Sequence, residues 1–222
     1  MSISNPKQAL YEQFAQVAKA FGNPQRLELI EHLAQGQRSV EALAAKLSLP
    51  VANVSQHLQT MRRAGLVTSE RDGKFVNYRL ADDGVQDAFA AIRKVAERHS
   101  SEVERVVRGW FDRRDDMEPI SREELAVRMS DGAVTVIDVR PPDEYALGHV
   151  PGAINVPLSE LSARSEGFEP GREVIAYCRG PWCVMSFEAV AELRRKGVRA
   201  RRLADGLPEW KAAGFIVEAD AL

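Results

Sequence analysis

The chain has 222 residues, 45% of them apolar and 28% charged, the balance of a water-soluble folded protein with length enough for two domains. No apolar run reaches the ~18 residues of a membrane span, the opening MSISNPKQAL lacks the basic flank and apolar centre of a signal peptide, and two cysteines are too few for a disulfide scaffold, so a cytoplasmic protein is expected. The net charge of −2 divides unevenly: residues 1–98 hold 13 Lys/Arg against 10 Asp/Glu and the remainder 17 against 22, so only the first part carries a basic excess suited to nucleic acid.

Helical spacing opens the chain. Leu10, Phe14, Val17 and Phe21 predict a first helix stopped by GNP at 22–24. QRLELIEHLAQG predicts a second, with Leu27, Ile30 and Leu33 or Ala34 on one face and Gly36 at its end. Ser39 caps a third, VEALAAKLSLP, in which Leu43 and Leu47 face inward and Pro50 ends the element. A fourth helix, from Val51, buries Val51, Val54, Leu58 and Met61 and stops at Gly65. In VTSERDGKFVNYRL, Val76, Tyr78 and Leu80 alternate with polar residues, and Asp72-Gly73 predicts the two-residue turn of a hairpin. From Gly84 to about Trp110 the period is helical again, with Val85, Phe89, Ile92 and Ala96 on one stripe. The charged stretch DRRDDMEP (112–119) marks a boundary at Pro119.

Beyond it the rhythm changes. AVTVIDVR, EVIAYC and VRARRLA read as strands, and SREELAVRMS, SFEAVAELRRKG and LPEWKAAG as helices, which predicts βαβ units and a parallel sheet. Three regions follow: a domain of helices and a hairpin at 1–98, a helical extension and linker at 99–118, and an α/β domain at 119–222.

Two short helices, a turn and a hairpin make the arrangement that lays a helix in the DNA major groove. Opposite the apolar face of the fourth helix stand Ser55, Gln56, His57, Gln59, Arg62 and Arg63, whose amides, hydroxyl and guanidinium groups suit base edges and phosphates. Arg71 and Lys74 at the hairpin tip equip a wing for the backbone. Residues 15–80 resemble the ArsR-type winged helix-turn-helix repressors, through AKAFGNPQRLELIEHLAQG, SVEALAAKLSLPVANVSQHLQTMRRAGLV and RDGKFVNYRL. That resemblance implies a homodimer built on the first and last helices that binds a palindromic double-stranded DNA operator. Many metal-sensing relatives carry cysteines where this chain has RSVEALA, and His32, His57 and His99 lack ligand spacing, so no metal and no cofactor is expected.

Both cysteines lie in YCRGPWCVMS, between a strand and a helix. A loop there sits at the carboxyl edge of a parallel sheet, where its N–H groups and the helix N-terminus favour an anion. A cysteine at its mouth is expected to be a thiolate that such a cradle would also stabilise as a persulfide, Arg179 adds an anion-binding charge, and Gly180, Pro181, Trp182 and Val184 form the rest of the cradle. Residues 119–218 resemble a single rhodanese domain, through VIDVRPPDEYALGHVPGAINVPL, VIAYCRGPWCVMSFEAVAELRRKGV and LADGLPEWKAAGFIV. The resemblance aligns Cys178 with the family's sulfur-carrying cysteine, which makes it the expected nucleophile and persulfide carrier with Cys183 as the resolving thiol, and it gives Asp138, Arg140 and His149 structural roles. The loop departs from the common pattern: it is about two residues longer, and Val184 stands where a phosphatase needs arginine.

The expectation is a repressor whose rhodanese domain senses reactive sulfur (thiosulfate, persulfide or polysulfide) and shifts the DNA-binding dimer through the helix at 84–110. The alternatives are a sulfurtransferase tethered to DNA, with turnover at Cys178, and a sensor of peroxide or general thiol oxidation.

Overall fold

The structure, a computed structural model, describes residues 5–116, 118–169 and 171–220, and it divides into two compact units between Lys94 and Val95. The reading of the opening residues therefore falls partly on residues 1–4, outside the described residues.

In the first unit, capping chemistry sets the helix starts. Asn5 and Asn23 accept the N–H groups of Gln8 and Arg26 at the heads of α1 (Pro6–Phe21) and α2 (Pro24–Ala34), each with proline just inside. The Arg26 guanidinium donates to the Lys19 and Ala20 carbonyls at the end of α1, groups that a helix leaves unpaired. A two-residue strand, β1 (Arg38–Ser39), follows, and Ser39 caps α3 (Val40–Leu47). Ser48 leaves that helix with a left-handed φ of 53°, so it ends before Pro50. The next helix, α4 (Val51–Arg63), buries Val54, Leu58 and Met61 completely against Leu29, Ile30 and Leu43. Truncating a buried leucine such as Leu58 to alanine costs about 2–5 kcal/mol. Val51 is exposed rather than buried, because it is the first residue of α4 and its side chain lies outside the packed stripe.

The hairpin pairs β2 (Val67–Asp72) with β3 (Phe75–Leu80), and β1 adds on the other side of β3. Asp72 pairs with Phe75, so the turn residues are Gly73 and Lys74 rather than Asp72 and Gly73. Gly73 supplies the positive φ, 57°, that the turn needs.

The expected continuous helix from 84 to 110 is broken. The element α5 (Asp83–His99) ends where Ser100 takes an extended conformation and its hydroxyl accepts the Val103 N–H, starting α6 (Ser101–Val106). One π-helical turn, Val107–Phe111, follows. Residues 95–116, most of the expected extension and linker, belong to the second compact unit.

That second unit is built on a parallel sheet in the order β5-β4-β6-β7: β4 (Val134–Asp138), β5 (Ile154–Asn155), β6 (Glu173–Tyr177) and β7 (Ala200–Arg202). The helices are α7 (Arg122–Ser130), α8 (Pro142–Tyr145), α9 (Leu158–Arg164), α10 (Val184–Arg195) and α11 (Leu207–Ala212). Both faces of β6 are covered. Val174, Ala176 and Cys178 pack with Leu161, Val190 and Leu193 of α9 and α10, while Ile175 and Tyr177 pack with Leu125 and Trp210 of α7 and α11. That alternation is the two-residue period of a strand, and it carries Cys178 to the α10 side. The short elements α8, β5 and α9 had no counterpart in the sequence reading.

Candidate functional site

Two sites stand in the two units. On α4, burial of Val54, Leu58 and Met61 turns Gln56, Gln59, Arg62 and Arg63 to the surface, with Ser55 and His57 half-buried. Gln59 donates to the Ser55 hydroxyl, Arg63 donates to the Gln59 carbonyl, and Arg62 donates to Ser69 on β2, so these side chains share one polar surface. Burial, and then the nearby Arg26 charge, hold His57 below the usual histidine range. Arg71 and Lys74 are exposed at the hairpin tip, where Arg71 donates to the Gly73 carbonyl and the Lys74 ammonium lies 5.2 Å from the Phe75 ring centre.

The second site is the loop from Cys178 to Cys183, which joins β6 to α10. The two sulfurs are joined in a disulfide, with Cα atoms 6.1 Å apart, inside the roughly 4.4–6.8 Å such a bond spans. Both residues are buried, Cys178 at 1% exposure and Cys183 at 7%. The loop closes on itself through the Cys183 N–H and the Gly180 carbonyl, and the Cys183 carbonyl accepts from the Ser186 hydroxyl. Gly180, Pro181 and Trp182 are half-buried, and Val184 is exposed at the start of α10.

Arg179 stands differently from the expected anion-binding charge. Its Nε and Nη2 each donate to a Glu144 oxygen at 2.8 Å, and Glu144 is buried. A bidentate pair of this kind fixes the side chain and offsets its charge, so Arg179 ties the loop to α8.

Several groups around the loop were not singled out from sequence. Gly206 lies against it so closely that an added Cβ would overlap the Arg179 carbonyl and the Gly180 nitrogen, and the Leu207 N–H donates to the Cys178 carbonyl. Arg202 donates to the Pro181 carbonyl and to Asp115, and its guanidinium lies 4.0 Å from the Phe187 ring centre. Burial pulls the Arg202 pKa down while Asp115 opposes the shift. Asp115 also pairs with Arg194 at 2.8 Å. This aspartate, within the run taken as a polar boundary, is buried because two arginines converge on it. Trp182 packs edge-to-face with Phe111 at 5.1 Å, and its indole N–H donates to Glu97 in the last turn of α5. The only sequence signal for this shell was the aromatic content of RGWF and GPW.

Asp138 and Arg140 form a fully buried pair, with Arg140 also donating to the Gly148 carbonyl. Burial alone would lower the Arg140 pKa, but the hydrogen bonds and charge of Asp138 raise it. His149 stacks on Tyr145, with Nδ1 3.1 Å from the Tyr145 carbonyl oxygen. Burial, with the Asp138 charge, pushes the Tyr177 hydroxyl well above its usual range, so it remains protonated while it accepts the Val150 N–H.

Comparison with known proteins places both units. Residues 23–69 match the bacterial regulatory protein, arsR family, and residues 121–213 match the rhodanese-like domain. The HTH-type transcriptional regulator Rv0324 of Mycobacterium tuberculosis is 40% identical over 218 residues, covering 98% of this chain and 96% of its own. The chain belongs to the arsR family of regulators, in a form that carries a C-terminal rhodanese-like domain. The regulator is also similar to a sulfurtransferase of Allochromatium vinosum, 31% identical over 102 residues, which are 45% of this chain and 94% of that protein. Among solved structures, the homodimeric winged helix-turn-helix DNA-binding domain of Mb0332 from Mycobacterium bovis is 37% identical, covering 46% of this chain and 94% of that one at a TM-score of 0.42. The two family matches and the Mycobacterium tuberculosis relative make it a DNA-binding transcriptional regulator with a winged helix-turn-helix and a rhodanese-like domain. No helix among its described residues is long and apolar enough to cross a membrane.

Proposed function

We propose that this regulator is a repressor that responds to reactive sulfur, with Cys178 and Cys183 as the sensing pair and a double-stranded operator as the target of α4. The observation that carries the reading is the pair itself: the chain's only two cysteines share one loop at the carboxyl end of a central parallel strand, near enough to bond. In the reduced protein the Cys178 thiolate attacks the outer sulfur of a persulfide, polysulfide or thiosulfate. An S–S bond forms, the donor's thiolate or sulfite leaves, and Cys178 becomes a persulfide. The Cys183 thiolate then attacks the Cys178 sulfur and expels hydrosulfide. Two thiols have lost two electrons, and one sulfane sulfur has been reduced to sulfide.

The site residues take roles within that scheme. Gly180, Pro181, Trp182 and Val184 shape the cradle, while Arg179 supports it through Glu144. On the DNA side, Gln56, Gln59, Ser55 and His57 read bases, and Arg62, Arg63, Arg71 and Lys74 hold phosphates. The dimer forms through α1, where Leu10, Tyr11 and Phe14 are more than half exposed, and through Ile92 and Val95 of α5. Such a regulator works in the cytoplasm, beside its operator.

Operator titration with and without polysulfide tests the reading. Affinity should fall in the wild type by roughly 5- to 150-fold, the range of a coupling of about 1–3 kcal/mol, and should be unchanged in Cys178→Ser. Intact mass should show gains of about 32 Da per added sulfur and a loss of about 2 Da for the closed bridge. A Cys183→Ser variant that still responds would make the persulfide itself the signal. Similarity to a sulfurtransferase favours a second reading, catalysis as the main output. Steady turnover of thiosulfate, with an operator affinity that ignores sulfur donors, would decide for it.

A further inference from the structure

Trp182 is the residue that joins the cysteine loop to the helical segment before the sheet. It precedes Cys183 directly and so stands next to the Cys178–Cys183 bond. Its indole N–H donates to the Glu97 carboxylate in the last turn of α5. Its ring meets Phe111 of the π-helical turn at 5.1 Å and lies parallel to Phe187 of α10 at 6.2 Å, and Phe111 meets Phe187 at 4.8 Å. On the other side of the loop, Arg202 holds the Pro181 carbonyl and the buried Asp115 together. The loop therefore touches the preceding segment at two places, one aromatic and one ionic. A cleft of about 530 Å³, lined by Glu97, Ser100, Val103, Val107 and Trp182, leaves room beside the indole for it to move.

We infer that Trp182 is the relay of the regulator: making or breaking the Cys178–Cys183 bond re-seats its indole against Glu97 and Phe111, and α5 passes the change on. This rests on the sensor reading above for its output and on geometry for its first step. The π-helical turn is what makes the segment responsive. Such turns carry an extra residue in the helical ladder and sit often at functional positions, and here the turn presents Phe111 to the loop. Buried neighbours favour transmission over absorption, since Cys183, Phe187 and Asp115 are all buried.

Two measurements on the full chain test it. The first uses Trp110→Phe/Trp210→Phe, in which Trp182 is the one remaining tryptophan of three. Dithiothreitol breaks the protein S–S bond and is itself oxidised to a cyclic disulfide, so two electrons pass to the two cysteines. Trp182 emission and its quenching by acrylamide should differ between the two states. Unchanged emission overturns the relay, whatever the operator does. The second compares Glu97→Ala, at an exposed position, and Phe111→Ala with the wild type. Both variants should form the disulfide fully by mass yet lose most of the polysulfide-induced change in operator affinity. A wild-type-sized response in both overturns the relay and leaves the sensor reading standing. An emission change without any operator response in the wild type supports the relay's first step and sinks the sensor reading.

Discussion

Single residues decide how firmly the cysteine loop is held. Gly206 has no side chain because the Arg179–Gly180 backbone occupies the space a Cβ would need. Backbone yields less readily than a flexible side-chain end, so Gly206→Ala should push the loop outward and make the disulfide easier to reduce. The check is the fraction bridged at equilibrium across a dithiothreitol series, with an unchanged fraction counting against the packing argument. Asp138 illustrates a different constraint. Its carboxylate neutralises the fully buried Arg140 guanidinium, so Asp138→Ala should cost about 3–5 kcal/mol in denaturant unfolding, the penalty of a buried charge stripped of its partner. The buried pair also fixes the carboxyl end of β4, beside β6 and its loop.

At the scale of elements, α4 separates its tasks by helical period. Three completely buried residues anchor one face, and the polar face, the proposed DNA reader, is left at the surface. Replacing Arg62 and Arg63 with alanine should weaken binding to all sequences alike and flatten its salt dependence, because phosphate contacts release counterions. Replacing Gln56 or Gln59 should relax base preference by about 1–3 kcal/mol at the position read. Competition against random duplex distinguishes the two; equal losses on operator and random DNA for the glutamine variants would mean another face does the reading. The segment after α5 shows how an element can look unbroken in sequence. The apolar stripe continues past His99, but Ser100 competes for the Val103 N–H and restarts the helix.

For the whole molecule, the exposed stripe of α1 is the feature that a single chain leaves unexplained. Leu10 is 56% and Phe14 60% exposed, whereas Phe21 on the same stripe is buried at 6%. The proposed dimer would cover this stripe, so Phe14→Asp should shift the regulator to monomers by sedimentation and lower operator affinity with it. A dimer that survives the substitution would move the interface elsewhere.

The sequence by itself determined the order of the first four helices, the hairpin and the strands β4, β6 and β7, because two- and 3.6-residue periods and caps such as Asn23 and Ser39 act locally. It also singled out the cysteine pair, since rarity and spacing need no third dimension. It was silent on the shell around that pair. Asp115 looks like a solvated charge in DRRDD until Arg194 and Arg202, about eighty residues later, enclose it. Arg179 looks like a free cation until Glu144 of α8 meets it. Glu97 and Trp182, 85 residues apart, become neighbours only when the segment before the sheet packs on the loop. Which charges are offset and which aromatic rings touch is set by residues distant in the chain, and only the tertiary structure brings those together.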